Sequence, residues 1–492
     1  MRPSIARLTH ASLGLSLGLA LVLGAAPAGA ADKPTLTERV STLLRAQQGP
    51  GARFGLLVTT LDGREIVALS PDDRFVPASN TKLYTTAAVF ANIANVDQPD
   101  AASGAAVRLD GGDVILEGHG DARLSSAPGC TVDCLATLAD AVAAKTRSVG
   151  NVIGDDSLFP DERWSPGMSW NNIQSRSGTG ISALTIDDNE LALTITAGAA
   201  AGQAARVDGL PYYTIDNRLI TVTSGKTDIR PFRMPNSRTL RLDGTVVVGA
   251  APEKVSLGID DPADFAAWRL RAMLIERGVK VKGRVEARHR PLTPADNPAT
   301  RGATPVPPAP VTTPLAKLTP APLIENLIHT NKVSQNVHSE LLLRRVGRIS
   351  GSGSIADGQA LVQAMMGRAG VPRWAYDLSD GSGMSNYNRV TPRASASLMR
   401  WIAGQPWGAA FRTTLPIGGV DGTLRNRFKG TPLEGKVFAK TGSINQSNTL
   451  AGYMTAASGQ TLVISAYAND MPEDASATRA VDAALNLIAA EN

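Results

Sequence analysis

A serine and a lysine three positions apart, Ser79 and Lys82, are the first residues of this 492-residue chain that could do chemistry together. On a helix, positions i and i+3 share a face. A serine at a helix start also keeps a backbone N–H that no carbonyl of the helix reaches. Such a pair can supply a nucleophile and one donor for an oxyanion. Lys82 could take the hydroxyl proton if burial or a nearby cation lowers its pKa. A second set, Ser334-Gln-Asn336, precedes a leucine-rich helical stretch and offers a hydroxyl relay and an amide. A third, Lys440-Thr-Gly-Ser443, lies at the end of an apolar strand. Gly442 would let a substrate backbone lie close along that edge, because no Cβ intervenes. Lys440 and Thr441 could bind a carboxylate, and the N–H of Ser443 could be a second oxyanion donor. Each set has a plainer reading when taken alone: Ser79 as a helix cap, Ser334 and Asn336 as helix-entry residues, Lys440 to Gly442 as a strand end.

The three sets in this order are more specific than any one of them. Ser-x-x-Lys, then Ser-x-Asn, then Lys-Thr-Gly is the pattern of serine β-lactamases and penicillin-binding proteins. With it stand Gly118-His-Gly-Asp-Ala-Arg-Leu-Ser-Ser126, Ile153-Gly-Asp-Asp-Ser-Leu-Phe159, Asp380-Gly-Ser-Gly383 and Gly419-Val-Asp-Gly-Thr-Leu424. On these segments the chain resembles the class C low-molecular-weight penicillin-binding proteins of the D-alanyl-D-alanine carboxypeptidase/endopeptidase type, peptidase family S13. The long step from Ser79 to Ser334 agrees with the large insertion of that family. Gln335 stands where many members carry Asp, and Ala122 where a Pro is usual.

The resemblance implies an α+β fold: an antiparallel sheet with helices on both faces, interrupted by a large, mostly β insertion. It implies a serine DD-peptidase that acts on peptidoglycan stem peptides through an acyl-enzyme, removing terminal D-Ala or cleaving D-Ala cross-links. Ser79, Lys82, Ser334 and Asn336 would then be catalytic, and Lys440, Thr441, Gly442 and Ser443 substrate-binding. Two ammonium groups near one site would repel, and one pKa would fall. β-lactams would acylate the same serine as inhibitors. Two rivals stay open: a β-lactamase or esterase on the same scaffold, and a non-catalytic envelope scaffold. Asp421 and Ser382 lie in glycine-containing turns, where turn geometry explains them as well as catalysis does.

The elements that must position these groups come from both chain ends. Phe54–Thr60 and Glu65–Leu69 flank Asp62-Gly63, a hairpin signal. The segments 436–440, 450–453 and 462–467 read as three strands, and 481–488 as a last helix. A hairpin alone is marginal, so one sheet from both ends is the economical solution. The expected division is therefore a discontinuous peptidase domain, 32–96 plus 260–492, around β-rich inserted domains at 97–259. Phe265 to Arg277, stopped by Gly278, reads as a helix, and the proline-rich 291–322 as a linker or loop.

Composition bounds the rest. Hydrophobic residues at 43% allow a sizeable core, and a formal charge of +5 without a basic run excludes a nucleic-acid footprint. Arg2 and Arg7, the apolar 13–23 run and Ala28-Gly-Ala30 read as a signal peptide over 1–30, too short to span a bilayer. The mature chain is thus expected to be periplasmic or otherwise extracytoplasmic, with no integral membrane span. Cys130 and Cys134 are expected to form a local disulfide in that compartment. No metal or organic cofactor is implied: HExxH is absent, and Ser224-Gly-Lys-Thr227 lacks the first glycine of a phosphate loop. The oligomeric state is not legible.

Overall fold

The computed structural model describes residues 33–46, 51–307, 312–473 and 475–492. The expected signal peptide lies outside the described residues. Residues 36–492 form one compact unit. Its first sheet joins the two chain ends in the order Val437–Ile444, Ser447–Thr455, Thr461–Asn469, Arg53–Thr60, Glu65–Leu69. Every neighbouring pair is antiparallel.

Side chains alternate across a strand, and the two faces of this sheet divide accordingly. Leu56 and Val58 pack on one side with Val40 and Leu44 of the helix Leu36–Arg45 and Leu485 and Ile488 of Thr478–Ala490. Leu57, Val463 and Tyr467 pack on the other side with Leu83, Leu342, Val362 and Met399. Those residues belong to the helices Thr81–Asn92, Asn336–Gly347, Ile355–Arg368 and Pro392–Ala403. The helix Thr81–Asn92 is buried along almost its whole length.

A second sheet follows the order Val285–Arg290, Val152–Pro160, Asp113–Glu117, Ala106–Asp110, Ala316–Lys317. Its 152–160 strand runs parallel to both neighbours. Two three-stranded sheets lie between residues 190 and 258. All three sheets share one core, which also takes in Leu138 and Val142 of Leu135–Lys145 and Phe265, Leu270 and Leu274 of Pro262–Glu276. The β-rich part therefore draws on chain well past residue 259. The 262–276 helix has its apolar residues on this core, and the 285–290 and 316–317 strands complete its sheet. The proline-rich 291–322 stretch holds a short helix, Pro298–Arg301, and the Ala316–Lys317 strand. Cys130 and Cys134 are joined in a disulfide.

Candidate active site

Ser79 sits in a single 3-10 turn, Ala78–Asn80, directly ahead of Thr81–Asn92. Ala78 before it has φ +48°, in the left-handed region that a Cβ disfavours. The turn is held from two sides. Thr449 donates its hydroxyl to the carbonyl of Pro77 at 2.9 Å. A Cβ added at Gly442 would lie 2.9 Å from the Ser79 nitrogen and 2.8 Å from the Pro77 carbonyl oxygen. Gly442 thus lacks a side chain where the Thr449 hydroxyl and the serine turn both press on the strand. Gly383 makes the same allowance on the other flank, where a Cβ would meet the Ala78 carbonyl oxygen at 1.9 Å.

Lys82 is fully buried and donates to Ser79 Oγ at 3.0 Å, Asn336 Oδ1 at 2.7 Å and the Ser382 carbonyl at 2.7 Å. No carboxylate is among these partners. Burial lowers its pKa to about 7, while the more remote charges of Asp380 and Glu340 pull the other way. Lys440, equally buried, donates to Ser334 Oγ at 2.9 Å and to the Thr441 carbonyl at 2.8 Å. Its pKa falls well below the usual lysine value, first through burial and then through the Lys82 charge. Desolvation thus outweighs the repulsion between ammonium groups that the sequence suggests.

Ser334 also adopts a left-handed conformation, φ +65°. Strained residues of this kind cost about 1–3 kcal/mol each and persist where the surroundings dictate them. Asn336 opens the helix Asn336–Gly347, and its amide nitrogen donates to the carbonyl of Ser177 at 2.9 Å. Gln335 caps that helix and donates to Asp188 at 3.0 Å. Ser177 and Asp188 come from the β-rich part, which therefore reaches the Ser334–Asn336 segment directly.

The 437–444 strand is the edge of its sheet. Ala439 donates its N–H outward, to Pro416. Alternate residues of an antiparallel strand point their backbone groups the same way, so the N–H groups of Thr441 and Ser443 face that edge too. Thr441 is half-buried and donates its hydroxyl to Thr423 at 2.7 Å, whereas Ser443 is exposed. Direct hydrogen bonds thus join Ser79, Lys82 and Asn336 in one set and Ser334 and Lys440 in another, with Gly442 against the serine turn and Thr441 and Ser443 along the strand edge.

Sequence reasoning missed the layer beneath. Glu340, fully buried, accepts from the N–H groups of Gly381 and Ser382 at 3.0 and 2.8 Å. Its pKa is raised by burial and by Asp380. Asp380 accepts from Gly383, Ser385 and Asn388 at 2.6–2.9 Å. Together they fix the loop whose Ser382 carbonyl receives Lys82. The signal was present in Asp380-Gly-Ser-Gly383, a turn too polar to be buried without partners.

This fold and these side chains define a serine peptidase of the penicillin-binding class. The comparisons with known proteins are more particular. The model of the D-Ala-D-Ala carboxypeptidase 3 (S13) family matches residues 36–492, and the chain belongs to that family. It is 30% identical over 466 residues to the D-alanyl-D-alanine carboxypeptidase of Actinomadura sp. (strain R39), covering 89% of this chain and 82% of that one. It is 23% identical over 430 residues to the D-alanyl-D-alanine carboxypeptidase DacB of Haemophilus influenzae, covering 85% and 86%. The crystal structure of penicillin binding protein 4 (dacB) from Haemophilus influenzae shares the fold, with a TM-score of 0.74 at 22% identity over 91% of this chain and 97% of that one. Among the described residues, no helix is long and apolar enough to cross a membrane.

Proposed function

We propose that this chain is a serine DD-peptidase that cleaves after D-Ala in peptidoglycan stem peptides, outside the cytoplasmic membrane, through an acyl-enzyme on Ser79. The observation that carries this reading is Lys82 Nζ, 3.0 Å from Ser79 Oγ, buried without a carboxylate partner and poised to be neutral near pH 7.

Neutral Lys82 accepts the Ser79 hydroxyl proton as Oγ attacks the D-Ala carbonyl carbon. The N–H groups of Ser79 and Ser443 hold the developing oxyanion. The proton that Lys82 took from Ser79 passes on through the Ser334 hydroxyl to the leaving amine, which returns Lys82 to its neutral form, while Lys440 holds Ser334 Oγ in place. The C–N bond breaks and the terminal residue departs. Water then attacks the ester; neutral Lys82 takes its proton and returns it to Ser79 Oγ as the C–O bond breaks, which restores the free enzyme. Asn336 positions both Lys82 and the substrate, while Thr441 meets the substrate's terminal carboxylate. A β-lactam enters the same path as far as the ester. The sheet formed from both chain ends carries the peptidase machinery, and the β-rich part flanks its entrance through Ser177 and Asp188.

Intact-protein mass after incubation with a fluorescent penicillin tests this. The mature chain should gain one adduct, and Ser79→Ala none. Purified muropeptides should then lose terminal D-Ala or their D-Ala cross-links. Rapid penicillin hydrolysis with no lasting adduct would instead favour a β-lactamase, and neither adduct nor hydrolysis would favour a scaffold.

A further inference from the structure

Beside the Ser334–Asn336 segment, three groups converge that the proposed chemistry does not use. His329 lies on the helix Leu323–Lys332, His338 on Asn336–Gly347, and Asp188 in the loop before the strand Glu190–Thr196. One ligand atom from each lies within 4.8 Å of the other two. The two imidazole rings are 4.8 Å apart between centroids. His338 is buried, Asp188 half-buried and His329 exposed, so the cluster is anchored at one end and open to solvent at the other.

The hydrogen bonds of His338 are the telling detail. Its Nδ1 lies 2.7 Å from Asn326 Oδ1, and its Nε2 lies 2.8 Å from Asp188 Oδ1. The Thr330 hydroxyl donates to the Asn326 backbone carbonyl at 2.7 Å and lies 3.3 Å from Asn326 Oδ1. In the tautomer with Nδ1–H donated to Asn326 Oδ1, the Nε2 lone pair is directed at the Asp188 carboxylate, an arrangement that a shared cation completes. An Nδ1–H held by an oxygen acceptor, with Nε2 directed to a ligand position, is the arrangement that orients metal-binding histidines.

The surroundings tolerate a dication. The open cavity here is lined by Asp187, Asp188 and Glu325 against Arg123 and Lys332. Arg123 is paired with Glu325, and Lys332 with Asp421. Two nitrogens and one carboxylate oxygen match zinc, which takes such ligands at about 2.0–2.2 Å and keeps a water in the fourth place. Tetrahedral ligands stand about 3.4 Å apart at those bond lengths. Asp188 and His338 are already close enough, and exposed His329 can close the remainder by side-chain rotation.

We propose that Asp188, His329 and His338 form a site for a divalent transition ion of the zinc class, and that its occupancy acts on the active site through the Asp188–Gln335 hydrogen bond. Gln335 lies between Ser334 and Asn336, so a carboxylate drawn toward a metal alters what holds that segment. The binding half stands on geometry alone. The coupling half rests on the function proposed above.

Calorimetric titration of the untagged mature protein with zinc chloride, paralleled by the visible spectrum with cobalt(II), tests the binding. One equivalent should bind, with a tetrahedral cobalt spectrum, and His329→Ala should weaken affinity at least tenfold. His329 is exposed, so this variant should fold and be acylated at the wild-type rate without metal. No binding at millimolar zinc, or equal affinity in the variant, overturns the site. Penicillin acylation with and without zinc tests the coupling: a severalfold change in wild type but not in His329→Ala is expected. Equal rates in zinc-loaded wild type overturn the coupling. Absence of any Ser79 adduct in metal-free protein would instead overturn the peptidase reading.

Discussion

Buried cations occur in the β-rich part and around Ser79, and the active site partners them in the opposite way from the rest of the molecule. In the β-rich part, the Arg233 side chain is 1% exposed and grips Asp260 with two nitrogens at 2.5 and 2.6 Å. Burial alone would lower its pKa, yet the Asp260 hydrogen bonds and neighbouring charges lift it above the ordinary arginine value. Arg344, on the helix that follows Ser334, is likewise buried against Glu162. In the active site, Lys82 and Lys440 are just as buried but touch only hydroxyls, an amide oxygen and carbonyls. Their pKa values fall. A carboxylate partner turns a buried cation into a fixed strut, and its removal turns one into a base. The residue types agree: guanidinium holds its proton everywhere, whereas a desolvated ammonium gives it up.

Substitutions separate the two kinds of buried cation. The largest effect belongs to Lys82→Ala, which should slow penicillin acylation of Ser79 by about 10³-fold, within the range for a positioned general base, with the fold retained by circular dichroism. Arg233→Met should do the reverse. It leaves Asp260 buried without its counter-ion and should cost about 3–5 kcal/mol by chemical denaturation, while folded protein is acylated at the normal rate. Gly442→Ala should cost about 100-fold in acylation with little change in the melting temperature, because the new methyl pushes the Ser79 turn off the strand. A full-rate variant would mean that the turn is not held by this contact. Glu340→Gln is the finest probe. The Glu340 charge raises the Lys82 pKa, so its removal should move the pH midpoint of acylation down. An upward move would contradict the assigned sign.

The elements that carry local patterns were legible in advance. The hairpin around Asp62-Gly63, the strands at the chain end and the helix after Ser79 follow from period-two and period-3.6 spacing, which are properties of adjacent residues. The three motifs could be read because each is short and their order is distinctive. What remained hidden was non-local. Nothing near Glu340 in sequence says that it binds the 381–382 amides, and nothing near Asp188 says that it meets Gln335. The helix expected over 265–277 is found at 262–276, but its partner was not foreseen, because an apolar face does not name the sheet it covers. Gly442 was recognised as a place of close approach, but that the Thr449 hydroxyl and the serine turn press on it was not legible, for the same reason.

The most direct test of the account is the rate constant for acylation of Ser79 by penicillin, followed from pH 5 to pH 9. The reaction needs neutral Lys82, so the rate should be low in acid, rise through a midpoint near 7 and level off above it, and the rise should vanish in Lys82→Ala. A rate that is flat across this range, or a profile that survives in the variant, would show that Lys82 is not the base.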